Sequence, residues 1–209
     1  PRLKDAEFYS FKGMSLIDRQ FLMERFLISR ELAQTSGEKG VVADKTERLS
    51  LMINEEDHLR MQAIRPGLQL SAAFEALSAL DTALETTLEF AFDPALGYLT
   101  TCPTNLGTGL RASAMLHLPA LVLSDQIGQV LQAVSKIGLA VRGLYGEGSQ
   151  AMGDFYQISN QVTLGKSETT ILNDIHSVIP QIITYERQAR ASWMRDNRQG
   201  LQDKIARAH

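Results

Sequence analysis

The only cysteine of the chain, Cys102, stands in a run of turn-forming residues, Thr101-Cys102-Pro103-Thr104-Asn105-Leu106-Gly107-Thr108-Gly109. Proline and glycine interrupt regular structure, so the sequence predicts that the thiol lies on a turn and not inside a helix. Arg111 follows nine positions after the cysteine, and a guanidinium together with backbone N–H groups beside glycines can hold an anion. A lone cysteine is more often an inert buried side chain, but loops of this composition commonly carry functional residues.

A second candidate is the acidic run Asn54-Glu55-Glu56-Asp57-His58-Leu59-Arg60, which follows a predicted strand. Three adjacent carboxylates repel one another unless a cation or a substrate lies nearby. A solvated turn or an acid-rich helix start is the simpler interpretation of the run taken alone. Asp57 and His58 are residue types that bind metals, but no second cluster of histidine or cysteine supports a protein metal site.

A third candidate is the run Val141-Arg142-Gly143-Leu144-Tyr145-Gly146-Glu147-Gly148, in which a glutamate stands between two glycines. Glycines allow a loop to close over a ligand and to open again, although a surface hairpin turn explains the run equally well. Glu56 precedes Cys102 by 46 positions and Glu147 follows it by 45. The three runs are therefore almost evenly spaced along the chain.

These three motifs, in this order and spacing, resemble those of the ATP:guanido phosphotransferases, the family of arginine kinase, creatine kinase and the bacterial protein-arginine kinases. The resemblance implies that Glu56 and Glu147 grip the guanidinium group of the substrate, with Cys102 beside them, so that these three are the candidate catalytic residues. It also implies three arginines that bind the nucleotide phosphates: Arg60, Arg111 and Arg142.

The chemistry of a guanidinium fits these roles. A protonated guanidinium is planar, strongly basic and a poor nucleophile, and two carboxylates can orient its plane and accept the proton that it must lose. Cys102 then binds substrate and is not a covalent nucleophile. The implied cofactors are ATP and Mg²⁺; the arginines spread the charge of the transferring phosphoryl group, and the nucleotide, not a protein ligand set, holds the metal.

Finer features resemble the bacterial protein-arginine kinases within the family, among them Arg65-Pro66-Gly67-Leu68-Gln69-Leu70 and Gln157-Ile158-Ser159-Asn160-Gln161. This implies phosphorylation of arginine side chains, with exposed arginines of protein substrates as acceptors. It further implies a Clp protease system, an activator protein and a homodimer as partners, in the cytoplasm. Two alternatives stay open: a kinase of a free guanidino compound such as arginine, and a truncated binding module without turnover.

The composition of the 209 residues, with 44% hydrophobic and 22% charged residues, is that of an ordinary globular protein. A net charge of −3 gives no case for binding to nucleic acid or to a membrane surface. No apolar run reaches the roughly 18 residues of a membrane-spanning helix. A single cysteine excludes an internal disulfide, which is compatible with a reducing cytosol.

The first residue is Pro1 and not methionine, so we expect a piece of a longer chain. The family's N-terminal motif of the Ser-Ser-Arg-x-Arg type is absent, and its arginines grip nucleotide phosphates; the isolated chain is therefore expected to be incomplete as an enzyme. We assign residues 1–195 to the catalytic domain and residues 196–209 to a linker or the start of a C-terminal segment.

The periodicity of apolar residues predicts the elements that carry these motifs. Helices are expected over residues 15–32, 71–91 with Ser71 as N-cap, 124–137 and 168–195, and residues 110–123 are expected to be partly helical and interrupted by Pro119. Strands are expected over 41–43 and 49–53, which form a hairpin, and over 97–100, 139–143 and 155–162. This order predicts an α+β fold with a mainly antiparallel sheet, and the resemblance implies the same, a glutamine-synthetase-like sheet flanked by helices.

Overall fold

The computed structural model describes residues 5–143 and 153–208. The chain divides into two compact units, Pro1–Gly109 and Leu110–His209. Each unit carries its own antiparallel sheet and its own helices. The predicted Glu147 falls on residues outside the described ranges.

The first unit contains, among its described residues, a four-stranded antiparallel sheet in chain order, β1-β2-β3-β4. Its strands are β1 (Glu7–Ser10), β2 (Gly40–Ala43), β3 (Leu49–Ile53) and β4 (Leu59–Ala63). The predicted hairpin is confirmed, with Val42 opposite Leu51. Strand β4 is not among the strands that the sequence predicted.

A tight turn is the reason for the extra strand. Asn54 adopts a left-handed backbone conformation with φ 56°, which asparagine tolerates better than most residues. Its N–H donates to the carbonyl of His58 at 2.9 Å. The chain therefore reverses at the acidic run, and β4 pairs with β3 so that Arg60 lies opposite Met52.

The helix predicted over residues 15–32 is wrong in its length and in its face. Two helices form instead, α1 (Leu16–Glu24) and α2 (Arg30–Ala33), because Phe26 between them has a φ of 57°, and Ser29 then caps α2 by accepting from the N–H of Leu32. The apolar periodicity predicted one face for this helix, formed by Leu16, Ile17, Phe21, Leu22, Phe26 and Leu27, and only part of it is buried. Leu22 and Leu27 join the core, whereas four others are exposed: Leu16, Ile17, Phe21 and Phe26.

Helix α3 (Leu70–Glu85) is shorter than predicted, and its N-cap position is Gln69 and not Ser71. No side chain of the cap position bonds to the helix start. Residues after the helix form a small hairpin of β5 (Phe92–Asp93) and β6 (Gly97–Tyr98). Of the strand predicted over 97–100, the first two residues are confirmed.

The second unit contains an antiparallel sheet of order β7-β9-β8 within its described residues. The strands are β7 (Ser113–His117), β8 (Leu139–Arg142) and β9 (Phe155–Asn160). The strands predicted over 139–143 and 155–162 are confirmed from their first residues and end one and two residues earlier than predicted. The prediction of a partly helical segment over 110–123 is wrong for residues 113–117, because these form β7.

Pro119 does not interrupt a helix but begins one. It occupies the first turn of α4 (Pro119–Leu123), where its missing N–H costs no hydrogen bond. Helix α5 (Ile127–Lys136) follows and starts three residues later than predicted. The helix predicted over 168–195 is confirmed as α6 (Glu168–Asp196), and α7 (Arg198–Ala208) comes after it.

Helix α6 organises the core of this unit by packing on α4, β7 and β9. Four isoleucines on one face are buried: Ile171, Ile175, Ile179 and Ile182. Their spacing of three and four residues is that of an amphipathic helix. Val178 and Ile183 of the same helix are only half-buried.

A buried carboxylate joins α6 to α4. Glu186 accepts the N–H groups of Ala120 and Leu121, both at 3.0 Å, and the guanidinium of Arg190 at 2.6 Å. The two N–H groups belong to the first turn of α4, where a helix leaves donors without partners. Glu186 therefore caps the N-terminus of α4, although it lies 65 residues from Leu121 in the sequence.

The predicted class, α+β with antiparallel sheets flanked by helices, is confirmed. Among the described residues no helix combines the length and the apolar character that crossing a membrane requires.

Candidate functional site

The cysteine loop is closed at its base by a pair of backbone hydrogen bonds. The N–H of Tyr98 donates to the carbonyl of Gly107 at 2.8 Å, and the N–H of Gly107 donates back at 3.3 Å. Gly97, with φ 82°, lies so close to Gly107 that a Cβ there would stand 2.5 Å from its carbonyl oxygen. A larger residue would force the strands of the base apart, so the loop needs glycine at this position.

Cys102 sits at the tip of this loop. It immediately precedes a short 3₁₀ turn, Pro103–Asn105, and its carbonyl accepts from the hydroxyl of Thr100 at 2.8 Å and from the N–H of Asn105 at 3.0 Å. The sulfur is half-buried and lies 3.0 Å from the hydroxyl of Thr104. The prediction of a thiol on a turn is confirmed.

The acidic run forms the turn between β3 and β4, and its two glutamates differ. The side chain of Glu56 is exposed, which leaves its carboxylate accessible to a cationic ligand. The side chain of Glu55 is only 5% exposed and accepts from Ser29 at 2.6 Å and from Arg60 at 3.0 Å. Its second oxygen accepts the N–H of Glu56 at 2.9 Å.

These contacts set the charge state of Glu55. Burial by itself would raise the pKa of the Glu55 carboxyl, but the hydrogen bonds from Ser29 and from the N–H of Glu56, with the positive charge of Arg60, outweigh burial and lower it. Glu55 is therefore anionic near neutral pH and holds the guanidinium of Arg60 beside the turn. About half of the Arg60 side chain, 48%, remains exposed.

Thr101 ties the cysteine loop to the acidic turn. Its N–H donates to the carboxylate of Asp57 at 2.6 Å, and its hydroxyl donates to the carbonyl of Glu56 at 3.2 Å. Thr101 is the chain neighbour of Cys102, so the two bonds bring the segments that carry Glu56 and Cys102 together. They span 44 and 45 residues of sequence and lie wholly within the first unit.

The second unit carries the predicted phosphate-binding residues Arg111 and Arg142. In the sheet, Arg142 of β8 lies opposite Gln157 of β9, which lies opposite Met115 of β7. Side chains alternate between the two faces of a strand. This register puts Arg142 on the face opposite Ile158, the fully buried residue of the core face.

Arg111 lies two residues before β7, and its neighbour Ala112 is hydrogen-bonded to Asn160 of β9. Since β7 and β8 lie on either side of β9, Arg111 and Arg142 belong to segments at the two edges of one sheet. The structure thus groups two of the predicted cations in one unit, and Arg60 with Glu56 and Cys102 in the other.

No group of three or more histidine, cysteine, aspartate or glutamate side chains suited to a metal ion occurs within residues 5–143 and 153–208. The candidate residues that the structure describes are three arginines, the carboxylate Glu56 and the thiol Cys102. This set fits a Mg²⁺ that arrives on nucleotide phosphates, because magnesium at such sites takes most of its ligands from phosphates and water.

Several residues that shape the site gave no sequence signal of their role. Thr101 and Asp57 act through bonds between distant segments, as does Ser29 toward Glu55. The acidic run identified Asp57 as a candidate metal ligand only, and Glu55 received no role. An alternation of hydrophobic residues could not have found these contacts, since it reports which face of an element is buried and not which loops meet.

The matching sequence family is described as "ATP:guanido phosphotransferase, C-terminal catalytic domain", and the match covers residues 2–189. The chain belongs to this family.

Individual proteins of related sequence and related structure are also similar to this chain. The chain is 53% identical over 198 residues to a protein-arginine kinase of Moorella thermoacetica, an alignment that covers 95% of this chain and 57% of that protein. Among solved structures it is similar to the duplicated taurocyamine kinase of Schistosoma mansoni with bound transition state analog components, with a TM-score of 0.74 and 29% identity over 89% of this chain and 27% of that one.

A crystal structure of lombricine kinase gives the same TM-score, 0.74, with 26% identity over 90% of this chain and 55% of that one. The folds of these guanidino kinases agree with the antiparallel α+β architecture described above. The chain spans little more than half the length of the curated relative that it matches.

Proposed function

We propose that the protein transfers the γ-phosphoryl group of ATP to the guanidinium group of arginine residues in proteins. The observation that carries this proposal is the tie between the acidic turn and the cysteine loop through Thr101. It holds an exposed carboxylate, Glu56, on the same unit as a half-buried thiol, Cys102. The identity of about one half to a protein-arginine kinase supports arginine in proteins as the acceptor.

In the proposed reaction Glu56 orients the guanidinium and accepts a proton from the attacking nitrogen. An exposed carboxylate suits this role, because it can form two parallel hydrogen bonds with a planar guanidinium without first breaking an internal ion pair. Cys102 contacts the same group and fixes its position. The family resemblance gives Glu147 the role of the second carboxylate, and this role stays a prediction.

Arg60, Arg111 and Arg142 are the proposed phosphate-binding residues, and ATP with Mg²⁺ is the proposed donor. The nucleotide supplies the transferred phosphoryl group, and its metal neutralises the charge on the phosphate oxygens. Arg60 is suited to phosphate because Glu55 anchors its guanidinium while about half of the side chain stays exposed. Catalysis of this kind depends on alignment and on placed charges more than on covalent chemistry.

Other parts of the proposal follow the resemblance. The partners are protein substrates with exposed arginines, together with a Clp protease system, an activator protein and a second copy of the protein, in the cytoplasm. Residues 1–195 form the proposed catalytic domain, and residues 196–209 a following segment or linker.

The test compares two acceptors. The full-length protein is incubated with ATP and Mg²⁺ and either an unfolded arginine-rich protein or free arginine, and the rate of ADP release is measured for each. We expect a much larger kcat/KM for the protein acceptor, with phosphate that is released by acid, as a P–N bond requires. Equal or faster turnover of free arginine would show that the acceptor is a free guanidino compound.

A further inference from the structure

The side chain of Asn160, the last residue of β9, makes three hydrogen bonds to backbone groups. Its carbonyl oxygen accepts the N–H of Ala112 at 2.8 Å. Its amide nitrogen donates to the carbonyl of Leu110 at 3.0 Å and to the carbonyl of Val162 at 3.2 Å. The residue is 3% exposed, so these bonds are sheltered from competing water.

The amide has only one orientation that satisfies its neighbours. The oxygen faces a donor, and the nitrogen faces two acceptors, which matches the two N–H bonds of a carboxamide. A rotation by 180° would set the amide N–H groups against the N–H of Ala112 and the oxygen against two carbonyl oxygens. A backbone bond from the N–H of Asn160 to the carbonyl of Ala112, at 3.3 Å, holds the same pair of segments from the other side.

Two of the three hydrogen bonds are made to the peptide groups on either side of Arg111. The carbonyl of Leu110 belongs to the peptide group before Arg111, and the N–H of Ala112 belongs to the peptide group after it. The two soft backbone torsions of a residue are rotations of these two peptide planes about its Cα atom. With both planes bonded to one buried side chain, the direction of the Cα–Cβ bond of Arg111 is fixed relative to the sheet.

We propose that Asn160 is a positioning residue that fixes the backbone of Arg111 so that its guanidinium meets nucleotide phosphate. This inference rests on the proposed function, because it takes from it the phosphate-binding role of Arg111. Asn160 does not contact the nucleotide. It acts through the two peptide groups, and this explains why a polar side chain is buried at this position.

The test is a double-mutant cycle in the full-length protein, with the affinity for Mg·ADP measured by calorimetry and kcat/KM for ATP measured where transfer occurs. Asn160→Ala and Arg111→Ala are each expected to weaken Mg·ADP binding and to lower kcat/KM by about 10- to 100-fold, the scale of a displacement of about 1 Å. In the Arg111→Ala background, Asn160→Ala is expected to cost less than about threefold more, because residues that act through one another are not additive.

Two controls separate positioning from stability. Ser159→Ala removes a neighbouring buried hydroxyl that has no hydrogen-bond partner among the described residues, and it should leave both readouts unchanged. Glu186→Gln weakens a contact between α4 and α6 in the same unit, and at equal folded fraction it should retain wild-type affinity for Mg·ADP. If Asn160→Ala, like Glu186→Gln, lost stability but kept wild-type affinity for Mg·ADP at equal folded fraction, the proposal would be overturned.

Additive losses in the cycle would also overturn the proposal, because they would show that Asn160 acts independently of Arg111. A wild-type protein that does not bind Mg·ADP would refute the role of Arg111 and the positioning role with it. A wild-type protein that binds Mg·ADP but phosphorylates no guanidino acceptor would refute the proposed function alone, and the binding cycle would still decide the role of Asn160.

Discussion

The hydrogen bond between Thr101 and Asp57 allows the cost of an Asp57 substitution to be estimated from the structure. Asp57→Ala removes a charged acceptor that lies 2.6 Å from the N–H of Thr101. Hydrogen bonds to charged groups contribute about 1.5–3 kcal/mol, and neutral ones about 0.5–1.5 kcal/mol. Because Thr101 is exposed and Asp57 only half-buried, we expect the lower end, about 1.5 kcal/mol, which corresponds to roughly a tenfold change in an equilibrium.

Two further variants remove only part of the hydrogen bonding between Thr101 and the acidic turn. Asp57→Asn keeps a neutral oxygen that can accept the N–H of Thr101 and should lose only part of the effect. Thr101→Val has nearly the same shape and removes only the hydroxyl bond to the carbonyl of Glu56, which spans 3.2 Å at an exposed position. Its cost should be about 0.5 kcal/mol.

The assay is steady-state kinetics of the full-length protein with the guanidino acceptor and ATP varied in turn. The tie positions the loop of Cys102 against the turn of Glu56, so Asp57→Ala should lower kcat/KM for the acceptor about tenfold and change KM for ATP by less than about twofold. Thr101→Val should follow in the same direction with a smaller effect. An Asp57→Ala protein that loses ATP affinity but keeps its acceptor kinetics would refute the view that the contact positions the acceptor site.

Three other outcomes follow from single contacts. Glu186→Gln sets an amide N–H against donors at the start of α4 and should cost about 1–3 kcal/mol of unfolding free energy, measured by urea denaturation; an unchanged midpoint would contradict the capping role. The folded-state pKa of Glu55 is lowered from 4.5, so the ionised carboxylate stabilises the fold above the unfolded-state pKa, and this contribution is lost as pH falls through the folded-state value. The difference in unfolding free energy between wild type and Glu55→Gln should therefore be largest near neutral pH and become smaller below pH 4.5. A difference that grows in acid would contradict the direction of this pKa shift. Cys102→Ala should weaken acceptor binding without abolishing transfer, and mass spectrometry that detected a phosphocysteine intermediate would contradict its role in binding.

The local chemistry of two motifs was predictable because the residue types act over a few neighbours. Proline and glycine around Cys102 specify a turn wherever they occur, and the polar residues between Ala43 and Leu49 specify a hairpin turn between two apolar runs. The long amphipathic α6 was predictable for the same reason, since its buried face repeats from Ile171 to Ala189. These features depend on sequence neighbours, and the structure confirms them.

The rest depended on contacts between distant segments. Helix propensity did not reveal the left-handed residue Phe26 that divides α1 from α2, and an apolar run left β7 indistinguishable from a helix until β9 was placed beside it. The hydrogen bonds of Asn160 were not predictable because their three partners are backbone groups, which any sequence supplies. Glu55 and Glu56 are the same residue type in the acidic run, and only the folded structure shows that Ser29 and Arg60 hold Glu55 while Glu56 stays exposed.

The central claim is that Glu56 serves the transfer of phosphate to arginine, and one measurement tests it most directly. Wild-type and Glu56→Gln full-length proteins are incubated with ATP, Mg²⁺ and an unfolded protein acceptor, and phosphoarginine is quantified by mass spectrometry under conditions that preserve P–N bonds. We predict acid-labile phosphate on arginine with the wild type, a loss of about 100-fold or more in rate with Glu56→Gln, and nearly equal affinities of the two proteins for ATP. A wild-type rate in Glu56→Gln, or phosphate found only on hydroxyl side chains, would contradict the account.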